Sequence, residues 1–248
     1  MTHTVQKGVV SRLLYNPHCR NYMSRLKKLY IKGRLIDLPH PFEEDVERLV
    51  RANHELLCKS ISRVEQEQLS EAAKAEDPYE AGAEIEYLRA SADELRREAR
   101  SLALVSLVTR FQHWLRVFAE ELTNCPAATS GVVKNMQTLK KELGEGPVPA
   151  AIFEDLETVR DSIIHADSNV EWMRGKEQRH VPLKYREVNL ESLKKLDLPE
   201  QSLQEIRESA MSRINLTEQH LQEAMTKAIE QVKWYEDRLA QLEMSRNS

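Results

Sequence analysis

Turn-forming residues are scarce: the 248-residue chain has 7 glycines and 9 prolines. That excludes collagen-like and low-complexity architectures and disfavours a fold built from many tight turns. Cysteine is rarer still. Cys19, Cys58 and Cys125 are widely spaced, odd in number and form no CxxC. A disulfide scaffold is excluded, and reduced thiols in a cytoplasmic protein are expected. Long apolar runs are missing as well. The stretch from Leu102 to Val108 is far too short to span a membrane. The start, MTHTVQKGVV, lacks the apolar core of a signal peptide, so none is expected. Neither sign of charge dominates: 36 basic and 40 acidic side chains leave a formal −4. No global positive field exists to hold duplex DNA, and nucleic acid would have to meet a local basic cleft. Phosphate-binding glycine loops, GxSxG and HExxH are all absent, and the 8 histidines never fall into a metal-ligand spacing. Asp77/Glu80 and Asp155/Glu157 read as solvated helix charges. No cofactor and no metal are expected.

What is present is helical pattern, in a chain that is 31% charged and 41% hydrophobic. Residues 1–40 are irregular, with a short helix expected from about Arg20 to Lys32, where Tyr22, Leu26, Leu29 and Tyr30 recur at helical spacing. A helix start follows at Pro41, with Glu43, Glu44 and Asp45 at its positive end. Val46, Leu49, Val50, Leu56, Leu57, Ile61 and Val64 mark its apolar face, and it should fade near Asp77-Pro78. A long helix is expected from about Tyr79 to Thr123. Its first half is amphipathic through Ile85, Leu88, Ala92, Leu95 and Ala99; its second half is apolar on nearly all sides, as a buried central helix is. Helices over about 129–143 and 150–165 flank the clear break GEGPVP. A polar segment follows, then a short strand over VPLKYREVNL. The last helix is expected from about Pro199 to Met244. Leu221, Met225, Ala228, Ile229, Val232, Tyr235, Leu239 and Leu242 give it a heptad seam, which suits packing on its own domain or pairing with another chain.

One segment holds candidate chemistry: ETVRDSIIHADSN, residues 157–169. Arginine followed by a histidine five to seven positions on occurs six times in the chain, so the bare pattern means little. Context separates Arg160: it alone is followed by a polar side chain, Asp161, and its histidine, His165, follows the aliphatic pair Ile163-Ile164. Asp161 and His165 are four apart and share a helix face, where a carboxylate could hold the imidazole in one tautomer. Arg160 lies about 140° from His165 on an ideal helix. The two converge only if the last turn loosens or a cleft spans both faces, as at a dimer seam. A guanidinium fits a phosphate, and a histidine moves a proton to or from an oxygen. Together they suit metal-free cleavage of RNA through its own 2′-hydroxyl. The bland alternative is an arginine paired with Glu157 and a histidine against the helix dipole.

RDSIIHA resembles the signature of the HEPN superfamily of helical domains: Arg, a polar residue, a few mostly apolar residues and His. Arg160, Asp161 and His165 match it position by position. The likeness covers about residues 83–243, although many relatives carry Gly or Asn soon after the His, where this chain reads ADSNV. It implies an all-α, HEPN-like helical bundle over 81–248 with a helical N-terminal extension over 1–80. It implies a homodimeric, metal-independent endoribonuclease in a toxin–antitoxin or phage-defence setting, with RNA as substrate and a possible antitoxin or defence partner. In that reading Arg160 meets the scissile phosphate, His165 is general acid or base, and Asp161 orients. Gln112, His113 and Arg116 are candidate polar helpers from the buried helix. Trp114 and Trp234 are expected in the core and Trp172 in a loop, where Arg174, Lys176, Arg179, His180, Lys184 and Arg186 give a basic cast suited to RNA. Some family members keep the fold only as binding or dimerisation modules, so a non-catalytic helical interaction protein is the alternative.

Overall fold

The computed structural model describes residues 28–31, 34–37, 41–74, 77–123, 131–166, 168–174, 177–186 and 213–244. The protein is mostly helical. Its helices are α1 (Phe42–Asp45), running through a π-helical stretch (Val46–Arg51) into α2 (Ala52–Ala72); α3 (Pro78–Thr123); α4 (Val132–Leu143); α5 (Ala150–His165); and α6 (Glu218–Met244). Two antiparallel hairpins accompany them, β1 (Lys28–Ile31) with β2 (Arg34–Asp37) and β3 (Glu171–Arg174) with β4 (Glu177–His180).

The hairpins correct the sequence reading. The helix expected from about Arg20 to Lys32 does not cover Lys28–Ile31, which pair with Arg34–Asp37; residues 20–27 lie outside the described residues. Tyr30, Ile31 and Ile36 around the dipeptide Lys32-Gly33 carry a two-residue hairpin signal that outweighs the helical spacing. Gly175-Lys176 does the same for β3 and β4, so the backbone of Trp172 lies in a strand, not a loop. The strand expected over 181–190 begins instead as a 3-10 turn, Leu183–Tyr185, because Pro182 removes a ladder donor; residues 187–190 lie outside the described residues.

Helix α3 has 46 residues, about 69 Å at 1.5 Å per residue. Its second half is the axis of the core. Leu104, Leu107, Phe111, Leu115 and Phe118 are buried, and Trp114 stacks on Phe118 at 4.7 Å between ring centroids. Each such side chain stabilises the fold by roughly 2 kcal/mol on burial. Phe42, Val46 and Val50 join this same core, with Phe42 5.7 Å from Phe111. The seam of α6 closes it from within the chain: Leu221, Met225, Ala228, Val232, Tyr235 and Leu239 are buried in the core, so the heptad run packs on its own protomer. Trp234 packs against its edge. The part of that helix expected over 199–212 lies outside the described residues.

The first half of α3 pairs with α2, and α2 adds no residue to the main core. Ala72, Ala92 and Ala99 are buried here, but Leu56, Leu57, Val64 and Leu95, expected on apolar faces, are exposed, Leu56 at 64%. A helix covered by one neighbour buries only a narrow stripe. Arg96 of α3 fastens the pair through Ser62 and Glu65 of α2, and also bonds Asp93 on its own helix. His54 (α2) bonds Glu218 (α6) at 2.8 Å, and Arg100 donates to the Leu216 carbonyl at 2.6 Å.

The break GEGPVP ends α4 and starts α5. Gly144 adopts φ 96° and closes α4 through its amide to Lys140. Gly146 packs so closely on Gln231 that an added Cβ would lie 2.0 Å from Nε2. Gln231 is fully buried, and its Oε1 accepts the Val148 amide at 3.2 Å.

Candidate functional site

Helix α5 runs from Ala150 to His165, as the sequence indicates. Phe153, Leu156 and Val159 face the core. The same helix buries three polar residues in a row: Arg160 at 9% exposure, Asp161 at 4% and Ser162 at 0%. Buried polar side chains need partners, and these have them. Arg160 donates to Asp161 Oδ1 through Nε at 2.8 Å and through Nη2 at 2.5 Å. Its Nη1 donates to Gln112 Oε1 at 2.5 Å. Glu157 Oε1 lies 3.6 Å from Nη2.

Glu157 is therefore not a solvated charge. Its side chain is 14% exposed and its second oxygen accepts the Val132 amide, the first of α4, at 3.3 Å. It serves as the N-terminal cap that Gly131 cannot supply, where the helix dipole favours an anion. Gly131 itself sits at φ 71°, and a Cβ there would lie 3.0 Å from Glu157 Oε1. Spacing three before Arg160 signals the ion pair; the capping contact comes from tertiary packing alone.

His165 is the last residue of α5 and is exposed. The last turn does not loosen: Ala166 N–H bonds the Ser162 carbonyl in ordinary helical register at 3.0 Å. The helix is thus regular through the motif, and Arg160 and His165 leave it about 140° apart, one inward and one outward. Of the three candidates, the structure bonds Arg160 to Asp161, while His165 leaves the helix about 40° from Asp161 and about 140° from Arg160. Gln112 is the one helper from α3 that bonds Arg160. Arg116 bonds His113 Nδ1 at 3.4 Å on the helix surface, where partial desolvation by its neighbours, then the Arg116 charge, lowers the pKa of the His113 imidazole.

The basic segment after the motif is partly compensated. Lys184 forms a solvent-exposed ion pair with Asp155 of α5 at 2.7 Å and lies over the Tyr185 ring. His180 faces Glu171 at 3.8 Å. Arg186 donates to the Val181 carbonyl.

A second polar cluster escaped the sequence reading. Cys58 lies one helical turn after buried His54, with Sγ 3.8 Å from Nδ1 and 3.7 Å from Nε2. A sulfur equidistant from both nitrogens packs on the ring rather than bonding one lone pair. Burial, then Glu218, raises the thiol's pKa, the opposite of an activated nucleophile. Among the described residues no group of three or more His, Cys, Asp or Glu could hold a metal ion, and no helix is long and apolar enough to cross a membrane.

No model of a known protein family matches this chain, and no curated protein or solved structure matches it.

Proposed function

We propose that the protein is a metal-independent endoribonuclease of the HEPN type that acts as a homodimer. The observation that supports this reading is the split within the motif. A regular helix turns Arg160 inward onto Gln112 and Asp161 and leaves His165 exposed at its end. One protomer then offers the two halves of a phosphate-handling site in different directions, and a second copy supplies the complementary half.

In such a cleft one His165 takes the proton of an RNA 2′-hydroxyl. The oxygen attacks the adjacent phosphorus, the bond to the 5′-oxygen breaks, and the partner subunit's His165 protonates that leaving oxygen. The products are a 2′,3′-cyclic phosphate and a 5′-hydroxyl. Arg160 stabilises the charge that builds on the phosphate oxygens, after exchanging a carboxylate oxygen for one of them. Asp161 orients the guanidinium. A toxin–antitoxin or phage-defence role in the cytoplasm, with an antitoxin or defence partner, rests on the family resemblance.

A specific observation favours a second reading, a non-catalytic interaction module. Two carboxylates, Asp161 and Glu157, already pair with Arg160, and the α2–α3 pair exposes Leu56, Leu57, Val64 and Leu95.

RNA cleavage by the purified full chain in EDTA separates the two. The ribonuclease reading expects cyclic-phosphate ends, with cleavage lost in His165→Ala and Arg160→Ala at wild-type oligomeric state. Equal cleavage by all three proteins overturns the site, and absence of cleavage by wild type favours the interaction module.

A further inference from the structure

The backbone just after His165 is gathered by one residue, through its carbonyl and its hydroxyl. Ser162 is fully buried. Its carbonyl accepts the amides of Ala166 at 3.0 Å and Ser168 at 3.1 Å, and its hydroxyl donates to the Asn169 carbonyl at 2.5 Å. Three hydrogen bonds from a single residue thus wrap the turn back onto the helix that ends at His165.

That turn is not one the backbone adopts by preference. Ser168 has φ 64°, the left-handed region where a Cβ crowds the following carbonyl. Among the described residues it is the one non-glycine with positive φ. Such a conformation persists where its surroundings over-determine it, and these turns gather at functional sites. Here the surroundings are explicit. The Ser168 carbonyl accepts the Ile214 amide at 3.2 Å, and Asn169 bridges Arg213. Asn169 Oδ1 accepts the Glu171 amide at 3.0 Å, which starts β3. The turn is therefore tied to three partners: the end of α5, the 213–214 segment and the hairpin.

We propose that Ser162 is a positioning residue for His165, the buried hydroxyl that locks the left-handed turn and so gives the exposed imidazole a fixed direction. The inference rests on the reading of His165 as the acid–base group. Without the hydroxyl, the Asn169 carbonyl loses its donor, and the turn at Ser168 is held at its far side by one bond fewer, although the Ser162 carbonyl still accepts the Ser168 amide. The last turn of α5 then frays, and His165 samples many directions. Misplacing a reacting group by about 1 Å costs on the order of 100-fold in rate. Ser162 touches no substrate in this scheme, so RNA binding is unaffected.

The test uses the full chain with Ser162→Ala and Ser162→Thr, the second keeping a hydroxyl. Two quantities are measured: steady-state RNA cleavage in EDTA, and amide hydrogen exchange resolved to single residues. For Ser162→Ala the expected result is a kcat lower by about tenfold or more with KM within about twofold of wild type. Exchange at Ala166 and Ser168 should quicken by about tenfold while amides of Leu104–Phe118 keep wild-type protection. Ser162→Thr should return both toward wild type. Wild-type kcat in Ser162→Ala overturns the proposal. So does a loss of kcat with unchanged exchange at these amides, or exchange that quickens throughout the core, since either would leave Ser162 a packing residue only. If wild type cleaves no RNA, the ribonuclease reading fails by itself. The exchange data then decide the lock alone: local loosening supports it, and unchanged protection overturns it.

Discussion

Arg160 grips one oxygen of its own neighbour, donating to Asp161 Oδ1 through both Nε and Nη2. Adjacent helical residues point about 100° apart, so the arginine must fold back along the helix to make this bond. That posture also carries Nη1 to Gln112 on α3. One side chain thereby joins the motif helix to the central helix, and Glu157 extends the link to the start of α4.

Removing that arginine takes the cationic partner from two largely buried carboxylates. Breaking a buried pair from one side costs about 3–5 kcal/mol. Arg160→Ala is expected to lose about 3 kcal/mol in urea unfolding, whereas His165→Ala, at an exposed helix end, stays within about 0.5 kcal/mol of wild type. Equal, small losses for both would show that the Arg160 network contributes little to stability.

Gly146 is required by Gln231. A Cβ at 146 would overlap Nε2 at 2.0 Å and Oε1 at 2.5 Å, so the buried Gln231 amide would have to shift away from its bond to the Val148 N–H. Gly146→Ala is expected to destabilise by about 1–3 kcal/mol, the usual range for overpacking. Adding Gln231→Ala should recover part of that loss, less the bond to Val148 N–H. A strictly additive double variant in thermal unfolding would count against the clash.

Tyr235 sets an alkaline limit. Burial pushes its hydroxyl up to about 12, only partly offset by the neighbouring Gln231 amide. A group whose folded pKa is raised contributes stability that is complete below its unfolded value, near 10, and lost as pH climbs towards the folded one. Unfolding free energy should therefore fall by about 3 kcal/mol between those pH values. Tyr235→Phe should flatten this part of the profile. The check is urea unfolding across the alkaline range, together with tyrosinate absorbance.

Glu218 sets an acid limit. Burial raises its carboxyl, but bonds from Gln222 and His54, with the His54 and Arg100 charges, outweigh this and hold it below its usual 4.5. A depressed carboxylate stabilises above its unfolded pKa and ceases to as pH falls through the folded one. Melting temperature should drop below pH 4.5 more steeply in wild type than in Glu218→Gln. Identical acid profiles would show that the joint between α2 and α6 carries no such linkage.

The α2–α3 pair should open before the body does. It adds nothing to the main core from α2, and Arg96 is its main cross-link, bonded to Ser62 and Glu65 on α2. Arg96→Ala is expected to speed amide exchange in 60–72 and 80–95 about fivefold, an opening cheaper by about 1 kcal/mol, and to leave 104–118 protected. Uniform exchange across both regions would argue for one cooperative unit.

Sequence alone determined the helices whose burial is one-sided and whose ends are punctuated. Pro149 and the GEGPVP break bound α5, and the apolar run of 102–118 marks the central helix, because periodicity and turn chemistry are local properties. It also singled out Arg160, Asp161 and His165 by residue type and spacing. Tertiary structure decided what spacing cannot express. Two apolar stripes with the same period met opposite fates: the seam of α6 is buried on its own chain, while Leu56, Leu57 and Val64 on α2 are exposed, because burial depends on which neighbour arrives. Glu157 reads as a surface charge until α4 starts against it. Ser162 reads as filler until the chain returns to lay Asn169 on its hydroxyl. Arg160 turned inward because Gln112, 48 residues earlier in the chain, is there to receive it. Contacts between such distant residues leave no periodic trace in sequence, which is why the motif was legible and its geometry was not.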